Sequence, residues 1–165
     1  MLKLILCPHC NLSGFLILHG YLYGYSETDS NRIRRGHRIF CSNRDNKNGC
    51  GKTFSVLKST FIKNFVITAI TLWCFLDNLR KGLSLIEAFR QTASSMGETN
   101  SYRLFRKFKN NQVRIRTYLS HLKDPPRLKQ VAAPTIQTIV HLKQVFSHSL
   151  CPICDFQHHF QTSFL

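Results

Sequence analysis

The sequence predicts an α+β protein, in which a small N-terminal β domain is followed by an all-α bundle. Two observations support this class. Paired cysteines enclose a segment rich in aromatic and β-branched residues between residues 7 and 57. After residue 59, apolar residues recur at helical spacing instead. With 165 residues, the chain has room for one ordinary domain or two small ones. We predict a β domain over 1–58, a helical domain over 59–124, and a linker, terminal helix and Cys/His-containing tail over 125–165.

Four cysteines organise the β domain: Cys7, Cys10, Cys41 and Cys50. A Cys-x2-Cys pair presents two thiolates from one tight turn, and a second pair some 30 residues later can complete a tetrahedral S4 zinc site. Gly49 and Gly51 flank the last cysteine, where a turn whose amides point at sulfur needs positive φ and no Cβ. Eight residues separate Cys41 from Cys50, so we predict a zinc ribbon with one enlarged knuckle. Disulfides or unligated core thiols are the alternative.

The segment between the cysteine pairs has the composition of a small sheet. Phe15–Tyr25 is predicted to form a hairpin, 26–31 a loop and 33–41 a returning strand, while 52–57 closes a three- or four-stranded sheet. The returning strand is densely basic, which favours phosphate contacts over a merely solvated face. The candidate DNA-binding residues of this domain are Arg32, Arg34, Arg35, Arg38 and Lys52.

The charge balance points to a polyanionic partner. Lys and Arg number 23 against 8 Asp and Glu, which gives a net charge of +15. Such an imbalance destabilises a compact chain by self-repulsion unless a polyanion compensates it, and nucleic acid is the usual one. An acidic membrane surface is the competing partner. The most apolar run, Phe65–Leu76, is too short to span a bilayer, so we expect no membrane insertion.

The N-terminus predicts an intracellular location. The apolar stretch before Cys7 is too short for the core of a signal peptide and leads directly into the cysteine motif. We therefore expect a cytoplasmic protein, associated with the nucleoid if it is bacterial. Thiols stay reduced there, and metal binding is then the expected use of paired cysteines.

The helical domain opens with two predicted helices. Phe61–Leu79 is apolar on nearly every side, as in a helix buried in a core, and we expect Trp73 and Cys74 to be core residues. Ser84 followed by Glu87 is a capping-box signature that predicts a helix start at Ser84. Four apolar residues of this second helix would share one face: Leu85, Ile86, Phe89 and Ala93.

A strongly basic helix follows, for which Thr99 or Asn100 can serve as the cap. Gln112–Lys123 repeats its amphipathic pattern. A helix, a Gly-containing turn and a basic helix predict a helix-turn-helix whose second helix enters the major groove of DNA. A three-helix bundle with a basic surface is the alternative. The candidate DNA-binding residues here are Asn100, Arg103, Arg106, Lys107, Lys109, Arg114 and Arg116.

The C-terminal region begins with a break at Asp124-Pro125-Pro126, because tandem prolines cannot continue a helix. Residues 127–133 are predicted to be a linker, and Pro134 to start a last helix. The tail offers a second set of metal ligands: Cys151, Cys154, His158 and His159. The alternative is an apolar terminal segment whose Phe156, Phe160 and Phe164 pack back on the domain.

Three segments resemble the zinc ribbon at the start of insertion-sequence transposases: Cys7-Pro8-His9-Cys10, Gly36-His37-Arg38-Ile39-Phe40-Cys41 and Cys50-Gly51-Lys52-Thr53-Phe54-Ser55. In that family a Cys-Pro-x-Cys pair precedes a basic G-x-R-x-x-C strand, a second cysteine pair, a G-K-T-F exit and a helix-turn-helix. The resemblance is close over 7–57 and covers 61–120 in the order and type of elements only. It implies that the four cysteines ligate zinc and that the helix near Asn100–Lys109 binds DNA. Two departures are the widened second pair and the absence of the catalytic domain.

The carboxylates predict no catalytic site. Two-metal phosphoryl transfer needs several convergent carboxylates, whereas the eight acids here are dispersed. We therefore expect a zinc-dependent, non-enzymatic protein that binds double-stranded DNA as an accessory or regulatory subunit for a separate recombinase or transposase. One alternative is a truncated transposase or nuclease subunit whose catalytic part is on another chain. Another is an RNA-binding zinc ribbon, in which Tyr21, Tyr23 and Tyr25 stack bases, although alternating aromatics are more often core.

Overall fold

The computed structural model describes residues 2–29, 31–126 and 133–165. The chain divides into two compact units: residues 1–25 with 31–58, and residues 26–30 with 59–165. We call them the sheet unit and the helical unit. The division at 58/59 coincides with the predicted domain boundary. The region 125–165 is not a separate part, because its described residues belong to the helical unit. The predicted linker spans 127–133, and its residues 127–132 lie outside the described residues.

The sheet unit contains a short 3-10 helix, Leu2–Leu4, and three antiparallel strands in the order β1-β2-β3. The strands are β1 (Leu16–Tyr25), β2 (Arg32–Cys41) and β3 (Thr53–Leu57). The hairpin predicted within Phe15–Tyr25 is wrong, because this segment is one continuous strand. Gly20 lies at a register shift in β1, and Gly24 makes room for Arg35, whose Cδ would lie 2.5 Å from a Cβ at that position. These glycines therefore allow a bulge and a close packing contact rather than a turn.

The described residues of the helical unit form five helices. They are α1 (Ala69–Arg80), α2 (Leu85–Arg90), α3 (Asn100–Ser120), α4 (Pro134–Val145) and α5 (Pro152–Phe160). Helix α1 packs against α2, α4 and α5, and helix α3 against α2 and α4. Phe75, Phe108 and Phe156 are completely buried where these helices meet. None of the described helices has the length and apolarity needed to cross a bilayer.

Helix α1 is shorter and less enclosed than predicted. It begins at Ala69 rather than at Phe61, because Phe61 and Thr68 pair in an antiparallel bridge and Thr68 caps the helix by accepting a hydrogen bond from the Thr71 amide. Trp73 is buried as expected. Cys74 is exposed, contrary to the prediction.

Helix α2 begins where the sequence predicts. The Ser84 hydroxyl accepts a hydrogen bond from the Glu87 amide at 3.3 Å, which confirms Ser84 as the N-cap. The Glu87 carboxylate binds Arg90 and Gln91. Because α2 has only six residues, the predicted apolar face is incomplete: Phe89 is buried, but Ile86 is exposed.

Helix α3 is one continuous helix of 21 residues. It contains the amphipathic segment predicted over Asn100–Lys109 and that predicted over Gln112–Lys123 as far as Ser120. Its buried side is formed by residues three or four positions apart, as expected for an amphipathic helix. These residues are Ser101, Leu104, Phe108, Gln112, Ile115 and Leu119. Residues 91–99 connect α2 to α3 and form a longer connection than the three or four residues of a typical helix-turn-helix.

The tail forms helix α5, so Pro134 does not start the last helix. Phe156 and Phe160 lie with ring centroids 4.9 Å apart, and both contact the ring of Tyr118 on α3. The Phe164 ring stacks on Phe108 with centroids 6.0 Å apart. This packing confirms the alternative in which the terminal phenylalanines return to the helical core.

Candidate metal centre and basic surfaces

The four cysteines of the sheet unit come together at one end of the sheet. Cys7 and Cys10 lie in the turn before β1, Cys41 ends β2, and Cys50 precedes β3. Their sulfur atoms all lie within 4.8 Å of one another. The Sγ–Sγ distances are 3.7 Å between Cys7 and Cys50 and 3.8 Å between Cys10 and Cys41.

These distances fit a tetrahedral metal site. Four thiolates at the usual Zn–S distance of about 2.3 Å lie about 3.8 Å apart along the edges of the tetrahedron. A disulfide requires sulfur atoms about 2 Å apart, and all four cysteines are free. Cys7 and Cys41 are fully buried, whereas Cys10 and Cys50 are half-buried. The donor set and its spacing therefore suit a structural metal ion rather than two disulfides.

Backbone amides support the cluster from both knuckles. In the first, the His9 amide donates to Cys7 Sγ at 3.4 Å, and the Asn11 amide donates to the Cys7 carbonyl at 2.8 Å. In the second, the Cys50 amide donates to Cys41 Sγ at 3.4 Å. Amide–sulfur hydrogen bonds stabilise negative charge on thiolates, so the two loops are suited to hold sulfur in the ionised form that binds metal.

The two glycines around Cys50 act in different ways, and only Gly51 has the predicted positive φ. Gly51 has a φ of +70°, and its amide donates to the Cys41 carbonyl at 2.9 Å. A Cβ at Gly49 would lie 2.2 Å from the Ser42 carbonyl oxygen. Gly51 therefore permits the left-handed turn, and Gly49 permits the close approach of two backbone segments.

The eight-residue interval between Cys41 and Cys50 is an outward loop at an otherwise compact knuckle. Ser42 is buried beneath it, and the Gly49 amide donates to the Ser42 carbonyl at 3.1 Å, which closes the base of the loop. Asp45 and Asn46 have φ values of +54° and +59°, in the left-handed region that these two residue types tolerate best after glycine. The wider spacing therefore extends the loop without separating the two sulfur atoms.

The pKa values of the two buried thiols shift in opposite directions. Burial opposes ionisation of Cys7, but the amides of His9 and Cys10 and the neighbouring thiols outweigh it and lower the Cys7 pKa. Burial raises the pKa of Cys41, and the three neighbouring thiols raise it further. Ionisation of a second sulfur is unfavourable beside the first, and a bound divalent cation removes that cost for all four.

The tail residues predicted as a second metal site do not form a comparable group. Cys151 caps helix α5, and its sulfur accepts a hydrogen bond from the Cys154 amide at 3.4 Å. His158 and His159 are exposed on the last turn of α5, and the His159 ring contacts Phe146. In the ranges that the structure describes, the four cysteines of the sheet unit form the one group of three or more clustered metal-binding side chains.

The strand arginines do not form a single surface. Arg32 and Arg34 are exposed and lie over tyrosine rings of β1, with Cζ 5.5 Å from the Tyr23 centroid and 4.9 Å from the Tyr21 centroid. Arg35 is half-buried and covers Gly24. Arg38 is exposed and pairs with Gly20 across the sheet. Side chains alternate along a strand, so Arg38 and its neighbour His37 point to opposite faces. Lys52, just before β3, is exposed.

Helix α3 carries the densest row of exposed cations: Arg103, Arg106, Lys107 and Lys109. The Arg103 guanidinium lies 5.0 Å from the centroid of the Phe65 ring. A shallow concave surface extends along the same side of the helix, lined by Tyr102, Arg103, Phe105, Arg106 and Lys109, among others. Asn100 is half-buried, and its side-chain amide donates to the Gly97 carbonyl.

Arg114, one of the candidate DNA-binding residues, is half-buried and forms contacts within the helical unit. Its guanidinium donates hydrogen bonds to Thr162 Oγ1, Asn111 Oδ1 and the carbonyl oxygens of Ser163 and Phe164, at 2.8–3.1 Å. It therefore holds the C-terminal segment against α3. Arg116 is half-buried beside a second shallow surface near the end of the helix.

Several acidic residues of the helical unit are engaged in structural contacts. Asp77 forms ion pairs with Arg80, Lys81 and Lys143. Glu87 and Glu98 both pair with Arg90. The buried carboxylate of Glu27 binds Thr68 and Thr71 at the start of α1. These four carboxylates thus serve capping and ion pairing.

One feature of the surface departs from the sequence-based expectation. Tyr21, Tyr23 and Tyr25 are 46%, 55% and 60% exposed, rather than core residues. The period-2 spacing of the tyrosines, with arginines at the same spacing on the returning strand, is the sequence signal for this face.

Comparisons of the chain with protein-family models, with curated proteins and with solved structures gave no match.

Proposed function

We propose that this protein binds double-stranded DNA through helix α3 and depends on a structural zinc ion in its sheet unit. The observation that carries the proposal is the charge of α3. Its 21 residues include six Lys and Arg and no Asp or Glu. The four cations in its N-terminal half are exposed: Arg103, Arg106, Lys107 and Lys109. A continuous cationic row on a rigid helix fits the phosphates that line the major groove, with side chains between them available for bases.

Zinc is the metal that best suits the cysteine cluster. Thiolate sulfur is a soft donor, and four thiolates in a tetrahedral arrangement are typical of structural zinc in a reducing environment. Such a site is closed, with no position left for a substrate or a water molecule. We infer that the ion stabilises the sheet unit and takes no part in chemistry.

The biological setting that we propose is a mobile element, in which this chain is an accessory or regulatory subunit beside a separate recombinase or transposase. The resemblance of the cysteine segments and of the helix order to the start of insertion-sequence transposases supports this proposal. The high positive charge suits a protein that holds a DNA end.

Selection of bound duplexes from a random pool, followed by titration with the selected site, tests the proposal. Changing Arg106 to Gln should weaken binding by about 1–3 kcal/mol if the contact is to a base, and should relax the sequence preference. Lys63→Gln removes one positive charge from an exposed residue before helix α1 and is the control. Equal weakening by both variants, or no binding of any duplex, would refute α3 as the DNA-binding helix.

Two alternatives give different results in simple assays. A truncated transposase or nuclease subunit whose catalytic part is on another chain would not cut DNA alone, but would restore cutting when that chain is added. Nicking of supercoiled plasmid in Mg²⁺ or Mn²⁺ by this protein alone, abolished by mutation of one of its own carboxylates, would make it an enzyme. An RNA-binding ribbon would prefer structured RNA over the selected duplex in competition. We expect no nicking and preference for the duplex.

A further inference from the structure

One face of the sheet unit combines exposed aromatic rings with positive charge. Tyr21, Tyr23 and Tyr25 follow one another at alternate positions of β1, and Arg32 and Arg34 do the same on β2. We call these five residues the tyrosine–arginine face. All five side chains are exposed. Exposed tyrosines in a row are unusual on a soluble protein unless the row binds something.

The strand register explains how rings and guanidinium groups meet. A register shift between Leu22 and Tyr23 places Arg34 opposite Tyr23 and Arg32 opposite Tyr25. Each arginine reaches diagonally, so that Arg34 lies over the Tyr21 ring at 4.9 Å and Arg32 over the Tyr23 ring at 5.5 Å. The His37 ring lies 5.5 Å from that of Tyr21. Positive charge is therefore held beside the rings along the row.

The distance between two neighbouring tyrosine rings is close to the distance needed to stack one base between them. Alternate residues of a strand lie about 6.6–6.8 Å apart, and the ring centroids of Tyr21 and Tyr23 lie 6.4 Å apart. A base stacked between two rings lies about 3.4 Å from each of them, which is the spacing of stacked bases. The two rings must then be about 6.8 Å apart, almost the distance observed. The two rings now lie edge to face, with an interplanar angle of 74°. Their rotation, with movement of Arg34 off the Tyr21 ring, would open a slot of this width for one unpaired base.

The positive charge of the three strands indicates an anionic partner. The three strands contain four arginines and no Asp or Glu, so the face is complementary to a polyanion. Stacking on tyrosine requires free base faces, which a duplex does not offer within its length. A neutral peptide or an apolar partner would leave the arginines without counter-charges.

We propose that the tyrosine–arginine face is a binding site for single-stranded nucleic acid, in which the tyrosines stack on bases and Arg32 and Arg34 contact phosphates. The site lies wholly within the sheet unit and includes none of the residues proposed to bind duplex DNA on helix α3. It gives the protein a second mode of binding, at unpaired segments or at the end of an opened duplex.

The test compares two probes, fluorescein-labelled 12-mer oligodeoxythymidylate and a labelled 20-base-pair duplex, with the zinc-loaded full chain. Tyr21→Ala and Tyr23→Ala should each weaken single-strand binding about 5- to 100-fold, while duplex affinity changes less than twofold. Tyr23→Phe keeps the ring and should retain most of the affinity. Tyr102 is an equally exposed tyrosine, 55%, on helix α3, so Tyr102→Ala is the control for single-strand binding and should leave that affinity unchanged.

A direct readout does not depend on the variants folding. Single strands that carry 5-iodouracil, irradiated in complex with the unmodified protein, should crosslink to peptides that contain Tyr21, Tyr23 or Tyr25. The oligouridylate version distinguishes RNA from DNA as the source of the strand. Duplex binding without single-strand binding, crosslinks confined to α3, or equal losses from Tyr23→Phe and Tyr23→Ala would each overturn the inference and leave duplex binding by α3 standing.

Discussion

Glu27 caps helix α1 from a distant point in the sequence. Its Oε2 atom accepts hydrogen bonds from the Thr68 amide and from the Thr71 hydroxyl, both at 2.9 Å. The side chain is 93% buried, and the Ser95 hydroxyl donates to the Glu27 backbone carbonyl. A carboxylate at this position satisfies a free amide and interacts favourably with the positive end of the helix dipole.

The first prediction is that Glu27→Ala destabilises the helical unit by about 1–3 kcal/mol, because the Thr68 amide and the Thr71 hydroxyl lose a buried acceptor. Trp73 is the sole tryptophan of the sequence and is buried in this unit. Its fluorescence therefore follows urea unfolding of the helical unit. Asp124→Ala removes an exposed carboxylate of the same unit and should cost less than about 0.5 kcal/mol. Equal effects of the two changes would show that the cap is unimportant.

The second prediction separates structural from DNA-binding arginines on α3. Arg114→Ala should lower the free energy of unfolding by about 1–3 kcal/mol, because it removes the donor to the carbonyls of Ser163 and Phe164. Arg106→Ala should leave stability within about 0.5 kcal/mol and weaken duplex binding. Urea unfolding and DNA titration of both variants provide the check. A stable Arg114→Ala protein that has lost DNA binding would contradict this assignment.

The metal centre could be predicted from the sequence because its geometry is encoded locally. The Cys7-x2-Cys10 turn and the glycines around Cys50 determine where three of the four sulfurs point, and the strand that ends at Cys41 brings the fourth. The wide loop after Cys41 does not move Cys50 away from the other cysteines, because the hydrogen bond between Gly49 and Ser42 closes the loop at its base. The prediction from the cysteine spacing therefore holds despite the longer loop. The cap of α2 at Ser84 was equally local and equally predictable.

Features that depend on tertiary packing could not be predicted from sequence patterns. Phe15–Tyr25 contains glycines that suggest a turn, but pairing with β2 makes it one strand with a bulge. The apolar run from Phe61 suggests one long helix, yet the bridge between Phe61 and Thr68 delays the helix start to Ala69. Arg114 appears to be an outward cation until the C-terminal segment, some 50 residues later, folds against it.

The third prediction concerns pH and Asp77. Burial raises the pKa of this carboxyl, but its hydrogen bond to Arg80 and the charges of Lys81 and Lys143 outweigh burial and lower the pKa to about 2. The unfolded chain has a pKa near 3.9. The resulting stabilisation is complete above about pH 4 and is lost as the pH falls through about 2, because the unfolded state then binds the proton more readily.

Asp77→Asn should therefore lower the free energy of unfolding at pH 7 by about 1–2 kcal/mol, a range that allows for screening of the half-exposed lysines. The difference from the unmodified protein should shrink between pH 4 and pH 2. Urea unfolding followed by Trp73 fluorescence across this range measures it. The same substitution at exposed Asp124 is the control, and a pH-independent difference at Asp77 would contradict the ion-pair explanation.

The last prediction is that one zinc ion per chain stabilises the sheet unit. A single three-stranded sheet with so small a core buries too little apolar surface to fold firmly alone. The buried residues around the cluster are few: Cys7, Leu16, Ile39 and Cys41. Metal analysis of the purified chain should give one zinc, and Cys10→Ser should abolish it. Hydrogen exchange should then accelerate across residues 7–57, because ligation supplies part of the folding free energy.

Cys151→Ser and Cys74→Ser remove thiols from the helical unit and should leave both the zinc content and the exchange of the sheet amides unchanged. A second zinc that Cys151→Ser removes would restore the tail as a metal site. Sheet amides that stay protected after a strong chelator has removed the metal would show that the sheet folds without it.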